Sequence, residues 1–184
     1  MEKKQLPDAI PTERLLLKKH TLELAEQMFA YVNQDRERLR CFLPWVDGTL
    51  STEDEKFYIT DALKQWDECL FFDFGMFHKP EQLYMGNIGV HFFSWEHHHA
   101  EIGYWILGQF EGQGYVSEAV LALEQVLFAM GFHRLEIRCS SSNRRSSAVP
   151  ERLGYHLDGV LRENILEQGQ YSDTRIYSKL NPSH

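Results

Sequence analysis

Two rhythms of apolar residues divide the chain. Short, dense apolar runs predict strands at RLLLKK (Arg14–Lys19), FFDFGMF, YMGNIGVHFF, AEIGYWIL and RLEIRCS, and in a closing pair, YHLDGVLRENIL and YSDTRIYSKL. HKPEQ reads as the turn between the second and third of these. Helical spacing instead marks TLELAEQMFAYVNQ, with Thr21 as N-cap, and STEDEKFYITDALKQWDECL, with Ser51 as N-cap and Glu53 to Glu55 acidifying the first turn. RERLRCFLPW continues the first of these as a short helix that Pro44 ends. YVSEAVLALEQVLFAMGF is a long helix ending at Gly131, and a short helical piece runs to Leu153 after the polar run SSNRRSS. Helices early, then antiparallel-looking strands, then strand–helix–strand predict an α+β or mixed α/β fold around one central sheet.

Composition narrows the class. With 184 residues, 43% of them hydrophobic and 25% charged, the chain suits one well-buried domain spanning 1–184, and no linker or repeat divides it. A formal charge of −8 argues against a general nucleic-acid surface. Cys41, Cys69 and Cys139 are scattered and form no CxxC pair, so neither a disulfide framework nor a zinc knuckle is expected. The charged start is followed by no long apolar run, and no segment is long enough to span a membrane; the expected compartment is cytoplasm. HHH at His97–His99 reads as a polar hairpin loop, because three consecutive residues cannot easily aim at one metal.

The chemistry concentrates in QFEGQGYVSEAV, Gln109 to Val120, where Gly112 and Gly114 lie just ahead of the long helix. Strand, glycine turn and helix N-terminus in succession make a general anion site, since orphan backbone N–H groups converge there with the positive end of the helix dipole. A P-loop needs GxxxxGK[ST], and this turn has no lysine; a dinucleotide fingerprint needs a third glycine where Ser117 stands. What remains, Gln109-x-x-Gly112-x-Gly114, fits a phosphate site or a plain strand-to-helix turn.

Q-x-x-G-x-G followed by a helix resembles the acetyl-CoA pyrophosphate loop of the GCN5-related N-acetyltransferases, or GNAT family. AEIGYWI before it, GQGYVSEAV within it and the later C…N…S…LGY resemble the RimJ/RimL type, which acetylates ribosomal-protein N-termini. LDGVLRENILEQGQYSDTRIYSKL is similar to that type's closing strands, so the likeness runs from about Arg14 to Leu180. The resemblance implies a mostly antiparallel sheet, helices on both faces, split by the pantetheine arm of acetyl-CoA without any metal. Backbone groups of Trp105, Ile106 and Leu107 would meet that arm, an N–H near Leu107 would polarise the acyl carbonyl, and Gln109, Gly112, Gln113, Gly114, Tyr115, Val116 and Ser117 would form the pyrophosphate loop.

The same resemblance nominates Asn143 to bond the pantetheine amides, although its position suits a helix N-cap equally, and Ser146 to protonate the departing CoA thiolate. Arg144 and Arg145 meet the CoA 3′-phosphate or stay solvated. Glu101 ranks first as the base acting through water, and Glu163 second. Some enzymes of the RimL type carry a glutamate where Ile165 stands, and Glu163 two residues away would share its face of the strand. Phe42 and Trp45 in CFLPW would line the acceptor side, and His91 could face the cleft. Pro150 departs from the family pattern: it cannot donate to the Ser146 carbonyl, so a bend at Ser146 is expected. The implied acceptor is a protein N-terminus, with a small-molecule amine as the alternative; homodimerisation is common among such proteins. The departures at Pro150 and Ile165 also leave room for an acetyl-CoA-binding module without catalysis.

Overall fold

The computed structural model describes residues 2–183. Eight strands form one sheet in the order β1-β2-β3-β4-β5-β6-β8-β7. They are β1 (Ala9–Pro11), β2 (Leu15–Lys19), β3 (Phe72–His78), β4 (Leu83–Ser94), β5 (His99–Ile106), β6 (Arg134–Ser140), β7 (His156–Glu167) and β8 (Gln170–Leu180). The helices are α1 (Ala25–Gln34), α2 (Arg36–Leu39), α3 (Thr52–Asp67), α4 (Tyr115–Ala129) and α5 (Arg144–Arg152). α4 and α5 cover one face of the sheet. There Ala119, Val120, Leu123 and Leu127 of α4 are fully excluded from solvent against Ile88, Ile102 and Ile137. α1 and α3 cover the other, packing Met28, Val32 and Ile59 against Tyr84 and Trp105.

All neighbouring strands are antiparallel except β5 and β6, which are parallel and pair only from His99–Glu101 to Arg134–Glu136. Beyond Glu101 the two strands part, and each continues with its facing edge free of the other. Two crossing forces make this fork. β5 stays registered on β4 as far as Ile106, while β6 stays registered on β8 as far as Ser140. Neither can bend back to the other without breaking that ladder.

Several local expectations are corrected. α2 ends at Leu39, five residues before Pro44, and Pro44 opens a separate 3-10 turn, Pro44–Asp47, where its fixed φ suits the first position. Thr21 precedes a 3-10 turn, Leu22–Leu24, and its side chain caps nothing, whereas the Ser51 oxygen accepts from the Asp54 amide at 3.3 Å. β1 has no counterpart in the apolar rhythm, being a three-residue edge strand. α5 runs from Arg144 to Arg152 with Pro150 inside it.

Candidate active site

The fork opens onto a cleft of about 1090 Å³ whose walls come from α2, β5, the turn Gly108–Gly114, the start of α4 and α5. Gly112 and Gly114 hold φ of +73° and +82° in that turn. These are left-handed conformations that a Cβ would strain, so the glycines serve the backbone path into α4. Gly114 is the N-cap of α4 and no side chain caps the helix. Asn143, by contrast, caps α5 by accepting from the Ser146 amide at 3.0 Å. The amides opening α4 are therefore left facing the cleft, an arrangement that favours an anion.

Positive charge surrounds this opening. Arg14 donates to the Gln113 carbonyl at 3.0 Å, pairs with Glu118 at 2.7 Å and lies 4.3 Å over the Tyr115 ring, fixing the turn from the side of β2. Arg152 donates to the Ser117 hydroxyl at 3.0 Å, leaving that hydroxyl its own proton to donate. Arg144 and Arg145 line the same cleft, and Arg145 also pairs with Glu111 at 2.6 Å. The motif marks the glycines. It carries no trace of Arg14, Arg38 or Arg152, which arrive from distant elements.

Along the fork, the Leu107 amide donates to the Met85 carbonyl at 2.8 Å and so is committed to β4. That removes it as the expected polarising donor. Successive residues of a strand turn their polar groups to opposite edges, so the amide and carbonyl of Ile106 face the gap instead. Arg38 reaches that carbonyl at 2.7 Å, and pairs with Asp35 and, at 2.6 Å, with Glu111. Trp105 turns its polar backbone groups to β4 and its ring to the α1–α3 face, where it lies 5.6 Å from Trp45.

Ser146 stands on the opposite lip, lining the cleft near the Cys139 thiol, whose pKa burial pushes up. Because Pro150 has no N–H, the Ser146 carbonyl loses its helical partner, and the Tyr104 hydroxyl replaces it at 3.0 Å. Burial holds that phenol well above its usual range. Tyr104 thus keeps α5 continuous through the proline.

Glu101 and His91 face one another across β4 and β5, with Nε2 3.3 Å from Oε1, and Arg138 pairs with the other oxygen at 3.0 Å. Glu101 belongs to the last pair before the fork opens, and both its oxygens are occupied. The His91 ring fills the space over Gly103. Glu163 does not share the face of Ile165. Three residues, Arg162 to Asn164, bulge between the pairs Leu161–Thr174 and Ile165–Ser172, and Glu163 sits there exposed at φ +49°. A two-residue step places side chains on one face only in regular strand, and the bulge breaks that rule.

A second, smaller cleft of about 390 Å³ adjoins the first at Phe42, between the α2–Asp47 segment and the tip of the β7–β8 hairpin. Phe42 is 40% exposed where the two clefts meet; Trp45, equally exposed on the same segment, lines neither cleft. Arg36 reaches the carbonyls of Val46 and Thr49, closing the segment that presents them. Among the described residues no three His, Cys, Asp or Glu side chains gather as a metal site, and no helix is long and apolar enough to cross a membrane.

Residues 14–156 match the family described as "Acetyltransferase (GNAT) domain". The chain belongs to the GNAT acetyltransferases. The enzyme is an N-acetyltransferase by that membership, and its forked mixed sheet is the family's fold. It is 30% identical over 158 residues, 85% of each chain, to the Bacillus subtilis "Putative ribosomal N-acetyltransferase YdaF". It is 34% identical over 82 residues to the Escherichia coli "Ribosomal-protein-serine acetyltransferase", covering 44% of this chain and 46% of that one. Among solved structures it superposes on the microcin C7 self-immunity acetyltransferase MccE, bound to acetyl-CoA and AMP. The TM-score is 0.89 at 25% identity, over 95% and 97% of the two chains. RimL in complex with coenzyme A matches in fold at TM-score 0.90 and 22% identity, over 96% and 99%. The donor is acetyl-CoA, and the open fork with its uncapped helix start suits it.

Proposed function

We propose that this acetyltransferase acetylates an α-amino group at the N-terminus of a ribosomal or other protein. The observation that carries the reading is the smaller cleft, which adjoins the donor cleft at the exposed ring of Phe42 and lies open between the α2–Asp47 segment and a hairpin tip. A chain end can enter such an open channel while the rest of the protein stays outside. Similarity to a ribosomal N-acetyltransferase supports the same class. An α-amino group has a pKa near roughly 8 against about 10.4 for lysine, so more of it is neutral at neutral pH.

In this reading the pyrophosphate lies on the amides opening α4, with Gln109 and Gln113 in the loop and Ser117 donating its hydroxyl. The pantetheine arm lies along the β5 edge, where the Ile106 amide meets it, with Asn143 beside it on the far lip. The amine attacks the thioester carbon, the C–S bond breaks, and Ser146 passes a proton to the leaving thiolate. Glu101, tied to His91 and Arg138, closes the paired end of the sheet behind the fork. Purified enzyme given acetyl-CoA should release CoA thiol with Ser- or Ala-leading peptides faster than with lysine side chains. Ser146→Ala should lower kcat about 10-fold or more without raising KM for acetyl-CoA.

One feature favours a second acceptor class. Trp105 lines the larger cleft, backed by the tilted ring of Trp45, and a protein similar in structure was solved with AMP. An aminoacyl nucleotide, or another small amine, could lay a planar group there. Faster turnover of small amines than of any peptide in the same assay selects this reading over the first.

A further inference from the structure

The carboxylates that face the acceptor cleft are not equivalent. Glu37 and Asp47 both pair with Arg40, at 3.5 and 3.1 Å. Glu167, at the end of β7, has no cationic partner among the described residues, although it lines the same cleft. Beyond the bulge at 162–164, β7 is regular again from Ile165 to Glu167, so Glu167 shares the face of Ile165 and turns inward where Leu166 turns out. Its Oε2 accepts from the hydroxyls of Ser140 and Ser142, at 2.8 and 3.1 Å. Oε1 has no partner among the described residues.

Those two serines locate the carboxylate. Ser140 is the last residue of β6 and is buried on the free edge of the fork. Extending the parallel register of His99 with Arg134 puts Ser140 level with Trp105, across the gap that receives the donor arm. Ser140 follows Arg138 on the same sheet face by strand alternation, the face that carries Trp105 and looks toward Phe42. Glu101, four residues before Trp105, lies about 13 Å back along β5 at roughly 3.3 Å per residue, in the paired part of the sheet. Glu167 is thus held at the junction of the donor fork and the acceptor cleft, with one oxygen anchored and the other free.

We propose that Glu167 is the base that takes the proton from the acceptor amine. The ammonium gives one proton to Oε1, which exposes the nitrogen lone pair. That pair forms the N–C bond to the acyl carbon; the C–S bond breaks and its electrons leave on sulfur. The nitrogen sheds a second proton to water, and the thiolate takes one through Ser146. Glu167 then returns its proton to solvent. The inference rests on acetyl transfer itself and holds for either acceptor class.

The test uses full-length enzyme, acetyl-CoA and whichever peptide or small amine the wild type acetylates fastest, with kcat/KM followed from pH 6.5 to 9. A wild type inactive on every amine would count against the acceptor reading, before any variant is compared. Glu167→Gln should cut kcat/KM about 30-fold or more at pH 6.5, with the deficit shrinking as the pH rises toward the acceptor's own pKa, to a few-fold by pH 9 for an α-amino group, which is neutral there. Acetyl-CoA affinity measured by calorimetry should be unchanged, which shows that the variant is folded. Ser140→Ala combined with Ser142→Ala should give a smaller loss of the same pH shape, because the carboxylate remains but is no longer aimed. An unchanged rate for Glu167→Gln, or a loss equal at every pH, would overturn the assignment.

Discussion

Tyr104 and Pro150 form a compensating pair around one carbonyl. A proline inside a helix leaves the carbonyl four residues earlier without a donor, and the Tyr104 hydroxyl supplies it at 3.0 Å. Tyr104→Phe should therefore destabilise the protein by about 1 kcal/mol, the net worth of such a hydrogen bond. It should also lower activity, since the helix carrying Ser146 is loosened at that residue. In a Pro150→Ala background position 150 regains its own N–H, so the same Tyr104→Phe change should cost much less. Urea melts of the four proteins measure this; additive costs would remove the compensating role. The proline was legible in the sequence as a break in the pattern. Its remedy was not, because the donor comes from β5, more than forty positions away.

Among the elements, α3 rests on a polar layer inside the sheet face it covers. His20, Tyr58 and Asn87 all reach the Asp73 carboxylate, at 2.6, 2.5 and 2.8 Å, and Tyr84 donates to Asn87 at 2.6 Å. Glu55 of α3 is buried beside them with Oε1 unpartnered, and burial lifts its carboxyl to about 7. The unfolded chain gives up that proton near the ordinary carboxylate value while the folded chain keeps it, so this group's contribution to stability falls as pH rises from about 4.5 through 7. Glu55→Gln should leave stability at pH 4.5 nearly unchanged and add about 2 kcal/mol above pH 7.5, read as the difference between paired thermal melts. Elements whose pattern is regular were the legible ones: α4 and β6 follow their apolar runs closely. The closing hairpin was legible as two strands, but its bulge at Arg162–Asn164 was not, since it obeys a local φ reversal that no hydrophobic period records. That bulge takes Glu163 off the face of Ile165 and leaves Glu167 on it.

Across the whole molecule, the glycine loop and the family likeness made the donor side readable, and the sheet forks where the resemblance implies. The acceptor side was only sketched, because it is assembled from α2, the Pro44 turn, β6 and a hairpin tip whose meeting depends on tertiary packing. Arg38 shows what that packing adds. It hangs from α2, the element that leads into Phe42, yet its guanidinium closes on the Ile106 carbonyl in the donor fork and on Glu111 in the phosphate turn. A donor arm pairing with the β5 edge competes for the same carbonyl, so the two binding events share one element and their free energies are linked. Linkage is reciprocal: whatever acetyl-CoA does to the affinity for the amine, the amine does to the affinity for acetyl-CoA. Acceptor titrations in the presence and absence of CoA should differ by about 5-fold or more in wild type, and by close to nothing in Arg38→Ala. Each substrate would then feel the other's presence through one arginine, whichever of them arrives first.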